Sequence, residues 1–171
     1  VTITNTAVPK NYTVIGKLYL NGAPVMKADG TSQYTSAPVS GLYGDEIDYD
    51  SMEAWAKDLI LSDIDNENEP VDATVNFYKD GGTIEPSATF GNPDVATNYV
   101  WIDVTTYYEA SFNTGVDGLT VDTQTVKCGD KADKPNGPAR EGYKLLGWFE
   151  DGEDTPFDFD TPITHKIELT A

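Results

Sequence analysis

From Tyr99 to Phe112 the chain runs without a glycine or a proline, and its residues alternate between two sides. Val104, Thr106, Tyr108, Ala110 and Phe112 share one side, while Trp101, Asp103, Thr105 and Tyr107 share the other. A period of two belongs to a β-strand, with one face turned to a core. At about 3.3 Å per residue the stretch covers roughly 45 Å, too long for one strand of a small sheet. The economical solution is two strands laid end to end, the last strand of one module running directly into the first strand of the next. Two small β-rich modules are therefore expected, at residues 12–106 and 107–171. Residues 1–11 are read as a tail or the end of a preceding domain.

The first module opens on an alternating run from Tyr12 to Leu20, followed by Asn21-Gly22 and a return strand over Ala23 to Met26. Asn-Gly between two β-like runs signals a type I′ hairpin, because both central residues need positive φ. Gly30 to Ser40 is rich in Ser, Thr, Gly and Pro and reads as loop. One helix is expected near residues 51–61, with Asp50 as its cap and Glu53 completing a capping box. Met52, Trp55, Ala56, Leu59 and Ile60 fall at helical spacing and give one apolar stripe, with Trp55 as the anchor onto a sheet. Beyond Ser62 the run Asp63 to Asp72 turns acidic and irregular. Val75 and Phe77 mark a further strand closed by Asp80-Gly81-Gly82, and a second loop reaches Asn98. The order strand–strand–helix–strand–strand is that of a β-grasp fold. The chain is thus expected to be α+β and mostly β: two tandem β-grasp-like modules, with short strands and little helix in the second.

The second module centres on Arg140-Glu-Gly142-Tyr143-Lys-Leu145-Leu146-Gly147-Trp148-Phe149. Gly142 suits a sharp turn that a β-carbon would strain. After it a strand is expected to hold Tyr143 and Trp148, with Gly147 keeping the backbone bare beside the indole. Pro135 and Pro138 fix an extended crossover. Tyr143, Leu145, Trp148, Phe157 and Phe159 supply the apolar area that a small unit needs for a core. Arg140 is placed to stack on Tyr143 or Trp148.

Around this segment stand Ala110-Ser-Phe112-Asn113 with Gly115 and Gly118, Gln124-Thr-Val126 with Gly129-Asp130-Lys131, and a close at Pro162, Ile163, Ile167, Leu169 and Ala171. Together with Pro135, Pro138, Arg140, Gly142, Tyr143, Gly147 and Trp148, they resemble the Listeria–Bacteroides repeat, the internalin-type B repeat of bacterial surface proteins. Cys128, Leu145, Leu146 and Phe149 depart from the family's usual residues without disturbing the pattern. The resemblance implies a compact β-grasp-like unit strung in tandem on a secreted, wall-associated Gram-positive protein. Val1 to Thr6 resembles the closing strand of Cna B-type domains, in which an asparagine such as Asn5 can form an isopeptide bond with a lysine. Val39 to Glu46 resembles mucin-binding-type repeats.

Charge bounds the partners. With 29 acids against 11 lysines and arginines the net charge is −18, a field that repels nucleic acid and anionic membrane surfaces. No apolar run approaches membrane-spanning length. The chain opens without Met on a strand-like alternation, so a segment of a longer chain is expected, and the segment by itself is expected to be monomeric. Cys128 is the only cysteine and reads as a half-buried structural thiol.

No catalytic centre is expected. His165 is the only histidine, with no nucleophile in a suitable motif, and there is no phosphate loop or Cys/His metal spacing. No cofactor is implied. Asp63, Asp65 and Glu67 alternate as calcium ligands can, but lack the glycine and spaced terminal Glu of an EF-hand, so a solvated acidic loop is the reading preferred. The leading expectation is a stalk, spacer or adhesive repeat at the bacterial cell surface. A second is direct binding of a glycan or of a host or neighbouring-cell surface protein, with Tyr34, Tyr43 and Tyr99 as contacts. A third is an accessory module of an extracellular enzyme.

Overall fold

The computed structural model of the protein describes residues 11–42, 45–79, 82–83 and 97–171. Asn5, Tyr43 and most of the loop before Asn98 lie outside the described residues. Among the described residues the chain is mostly β with a single α-helix, and it divides into two compact units. One comprises residues up to Asp58 together with Val75–Val104, and the other Leu59–Thr74 together with Thr105–Ala171.

In the first unit, β1 (Asn11–Leu20) turns at Asn21-Gly22 into β2 (Ala23–Pro24). The register Leu20↔Ala23 leaves two residues in the turn. Asn21 at φ 49° and Gly22 at φ 82° both take the left-handed conformation that a type I′ turn demands. Replacing Gly22 with alanine is expected to cost about 1–2 kcal/mol of stability, because only glycine adopts that φ without strain. A denaturant midpoint equal to that of the parent protein would contradict this.

The segment read as loop after Gly30 is partly paired. Thr35 bridges Lys17, Gln33 bridges Met26, and β3 (Val39–Leu42) runs antiparallel to Asn11–Val14. Polar Ser/Thr/Pro composition hid an edge strand that is held by backbone bonds and not by apolar side chains. On the other side of β1 lies the first half of β6 (Thr97–Asn113), paired parallel from Thr13↔Thr97 to Leu20↔Val104. β4 (Asp72–Lys79) neighbours β6, and β5 (Gly82–Thr83) closes on β4.

The helix α1 (Tyr49–Leu59) begins earlier than the sequence suggested. Asp48 accepts the Ser51 N–H at 3.2 Å and is the cap, which leaves Asp50 in the first turn, where its charge suits the helix dipole. Tyr49, Met52 and Ala56 are buried, with the Tyr49 ring 4.7 Å from Phe77. Trp55 is only half-buried. The anchor is therefore Tyr49 with Met52, six and three residues before Trp55, and not the tryptophan.

The second unit starts where α1 ends. Ile60–Ile64 continues as a wider π turn and Asn66–Asn68 as a short 3₁₀ turn. The second half of β6 then pairs antiparallel with β7 (Gln124–Lys127) and parallel with β9 (Ile167–Thr170), which in turn carries β8 (Phe149–Glu150). β6 is one continuous strand with no break at the expected junction. Its even residues from Val100 to Phe112 are buried throughout, which is the inward face read from the alternation. In this unit Tyr108, Ala110, Phe112, Val126, Trp148, Ile163, Ile167 and Leu169 form the core, with Phe157 and Phe159 packed at its margin.

Two readings of the central segment are corrected. Residues 143–148 form no strand, and Tyr143, Leu145 and Leu146 are exposed, at 69 %, 39 % and 78 % of their surfaces. Only Trp148 turns inward, its ring edge-on to Phe112 at 5.3 Å. A β-carbon on Gly147 would meet Pro156 Cβ at 2.7 Å, so the bare backbone there makes room for that proline.

Candidate functional site

Three arrangements bring functional side chains together, each within one unit. The first is a groove in the second unit. Gly142, at φ 79°, reverses the chain after Arg140, and the Tyr143 N–H closes the turn on the Arg140 carbonyl. The reversal lays the Arg140 guanidinium over the Tyr143 ring, 4.1 Å from its centroid. Lys144, Leu145 and Leu146 follow, and with Val116 and Phe149 they help enclose about 280 Å³. The opposite wall is the turn Thr114–Val116, pinned by the Thr114 hydroxyl, which donates to the Leu119 carbonyl at 2.8 Å. Arg140 and Lys144 carry the only charged side chains among the residues lining the groove, which also include Ala171, the last residue of the sequence.

The second arrangement is a buried polar cluster in the same unit. The Tyr108 hydroxyl donates to Asp65 Oδ2 at 2.5 Å and accepts from the Thr106 hydroxyl at 3.0 Å. Asn68 Nδ2 donates to the other Asp65 oxygen at 2.8 Å. Asp65, Thr106 and Tyr108 are almost wholly buried. Burial, reinforced by the hydrogen bond to Asp65, pushes the Tyr108 phenol well above its ordinary value. Burial also raises the Cys128 thiol, with the Asp65 charge as the next cause, so the thiol is held protonated and inert.

This arrangement separates the three acids weighed as calcium ligands. Asp65 faces inward and is occupied by Tyr108 and Asn68, while Asp63 and Glu67 are exposed. Among the described residues no three His, Cys, Asp or Glu side chains gather as a metal site. His165 is exposed, with the Thr164 hydroxyl 3.5 Å from its ring.

The third arrangement is an aromatic face on the first unit. Tyr99 is 49 % exposed with Lys17 Nζ 4.6 Å from its ring centroid, and Trp101, on the same face, leans on Tyr19 with centroids 6.2 Å apart. The parallel register Ile15↔Tyr99 and Lys17↔Trp101 sets these side chains in neighbouring rows. Tyr34 is half-buried, and Lys27 approaches its ring to 5.8 Å. The bridge Lys17↔Thr35 puts Thr35 on the face of Lys17 and turns Tyr34 to the opposite one, so Tyr34 and Tyr99 are not neighbours. Sequence reasoning missed Tyr19 and Trp101 as companions of Tyr99. The signal was the outward row of β6, in which Trp101 follows Tyr99 by two residues.

Among the described residues no helix is long and apolar enough to cross a membrane. Among the described residues the protein is mostly β, with exposed aromatic and apolar side chains on each unit. Residues 108–171 match the family model of the Listeria-Bacteroides repeat domain, which establishes for that stretch the resemblance drawn from its signature residues. Among curated proteins none matches the chain.

Proposed function

We propose that the chain is a non-catalytic segment of an extracellular bacterial surface protein, serving as a stalk or adhesive repeat. The observation that carries this reading is the repeat match over residues 108–171, in which the signature residues divide between core and surface. Trp148 holds the unit together, whereas Arg140 and Tyr143 stand outside it. Residues that a fold does not need for its core are available to a partner. The parallel pairing of β1 with β6, and of β6 with β9, supports a β-grasp-like reading of each unit. A glycan-binding role for the first unit is favoured by one observation, the exposed Tyr99 and Trp101 at alternate positions on one strand face, since sugar rings stack on exposed aromatics.

The test is replacement in the intact protein on its own cells. Residues 11–171 are exchanged for an unrelated folded spacer of equal length, and surface display and attachment are scored. Display with attachment retained identifies a stalk. Display with attachment lost identifies an adhesive segment. If the native protein is not reached by antibody or protease on intact cells, the proposal falls.

A further inference from the structure

We propose that the groove between Arg140–Leu146 and Thr114–Val116 takes an acidic, apolar peptide segment of another protein. A carboxylate would be held by Arg140 and Lys144, and an aliphatic or aromatic side chain would be laid against Leu145 and Leu146. This rests on the adhesive side of the reading above and names its partner's chemistry.

Charge is the first argument. In a chain of net charge −18, the charged side chains lining this groove are both cationic. Arg140 and Lys144 form no salt bridge among the described residues, although 29 acids are available to the chain. Glu141 lies between them in sequence but does not line the groove. Where acids outnumber bases so heavily, two cations that line one groove without a salt bridge make a local positive patch that complements an anion.

Geometry is the second. The guanidinium is already stacked 4.1 Å from the Tyr143 centroid, which fixes its plane and leaves its edge N–H groups free to fork onto a carboxylate. Little side-chain freedom is then lost on binding.

Apolar area is the third and separates a peptide from other anions. Leu146 and Tyr143 leave most of their surface in water, and Leu145, Phe149, Val116 and Pro138 continue the apolar lining. Covering such a surface requires aliphatic or aromatic groups beside the carboxylate. An acidic peptide carries both, whereas a free phosphate carries only the charge, and the flat C–H face of an acidic sugar suits an aromatic ring and not the branched side chains of Leu145 and Leu146.

The probe is an acetylated, amidated peptide of sequence Asp-Leu-Phe-Asp-Leu, titrated into the full chain and followed by amide chemical shifts. Shifts are expected at Thr114–Val116 and Arg140–Leu146. The neutral peptide Asn-Leu-Phe-Asn-Leu and the variant Arg140→Gln should each bind about tenfold more weakly, the usual effect of losing one charged hydrogen-bonding partner. Leu146→Ser should weaken binding without moving the unfolding midpoint, since the side chain is exposed. Equal affinity for the two peptides, an unaffected Arg140→Gln variant, shifts elsewhere, or no binding at millimolar peptide would each overturn the proposal. Concentration-dependent shifts at the same amides without peptide would assign the groove to a second copy of the chain and overturn it too. Any of these failures, with surface display intact, leaves the stalk role standing.

Discussion

Trp148→Ala is expected to remove about 3–5 kcal/mol from the stability of the second unit, the usual cost of deleting a large buried aromatic side chain. The indole is 1 % exposed and meets Phe112 edge-on, among Ile163, Ile167 and Leu169, so its loss opens a cavity that strands on two sides cannot easily close. Trp148→Phe should be much milder, about 1–2 kcal/mol. The indole Nε1 is buried and has no hydrogen-bond partner among the described residues, so phenylalanine forfeits volume but no hydrogen bond. Tyr143→Ala, two-thirds exposed in the same signature, should stay within about 0.5 kcal/mol. Urea unfolding followed through amides of each unit would measure all three. A Trp148→Ala loss below 1 kcal/mol, or a Tyr143→Ala loss as large as that of Trp148→Ala, would remove the division between core and surface.

That division marks the limit of what the residues alone disclosed. The alternation of β6 revealed its buried face, since period-two patterning is a direct consequence of strand geometry. Asn21-Gly22 revealed its turn, because few residues tolerate two successive positive φ values. Tyr143, Leu145 and Trp148 looked alike in sequence, and apolar character alone assigned all three to a core. Gly142 and the two prolines keep residues 133–147 out of the sheet. Inside and outside are then decided by which side chains can reach the strands, a long-range matter no local pattern records. Asp65 shows the converse. One acid among many looked like solvent-facing charge, and its role appears only when β6 brings Tyr108 against it. The groove escaped notice for the same reason, since its walls lie some thirty residues apart in sequence.

The Asp65–Tyr108 contact leads to the second large effect. Tyr108→Phe is expected to cost about 2–3 kcal/mol, because it strips a buried carboxylate of its shortest hydrogen bond while conserving ring volume. Asp65→Leu should cost a similar amount by orphaning the phenol. Combining the two should recover part of the loss, since replacing both partners with apolar groups leaves neither a stripped carboxylate nor an orphaned phenol; Asn68 is exposed and can turn to water. Asp65→Asn should be the mildest change, because an amide oxygen still accepts from the tyrosine. The pH dependence follows from the raised values of Tyr108 and Cys128. A group whose value is higher folded than unfolded contributes stability that is intact below its unfolded value and is lost as pH rises toward the folded one. The loss should therefore begin near pH ~8.5, where a free thiol ionises, and steepen above ~10, where a free phenol does. Cys128→Ala should flatten the first part and Tyr108→Phe the second. A stability profile that stays level from pH 8 to 11, or a double variant whose loss equals the sum of the singles, would show that the cluster is not coupled as its geometry implies.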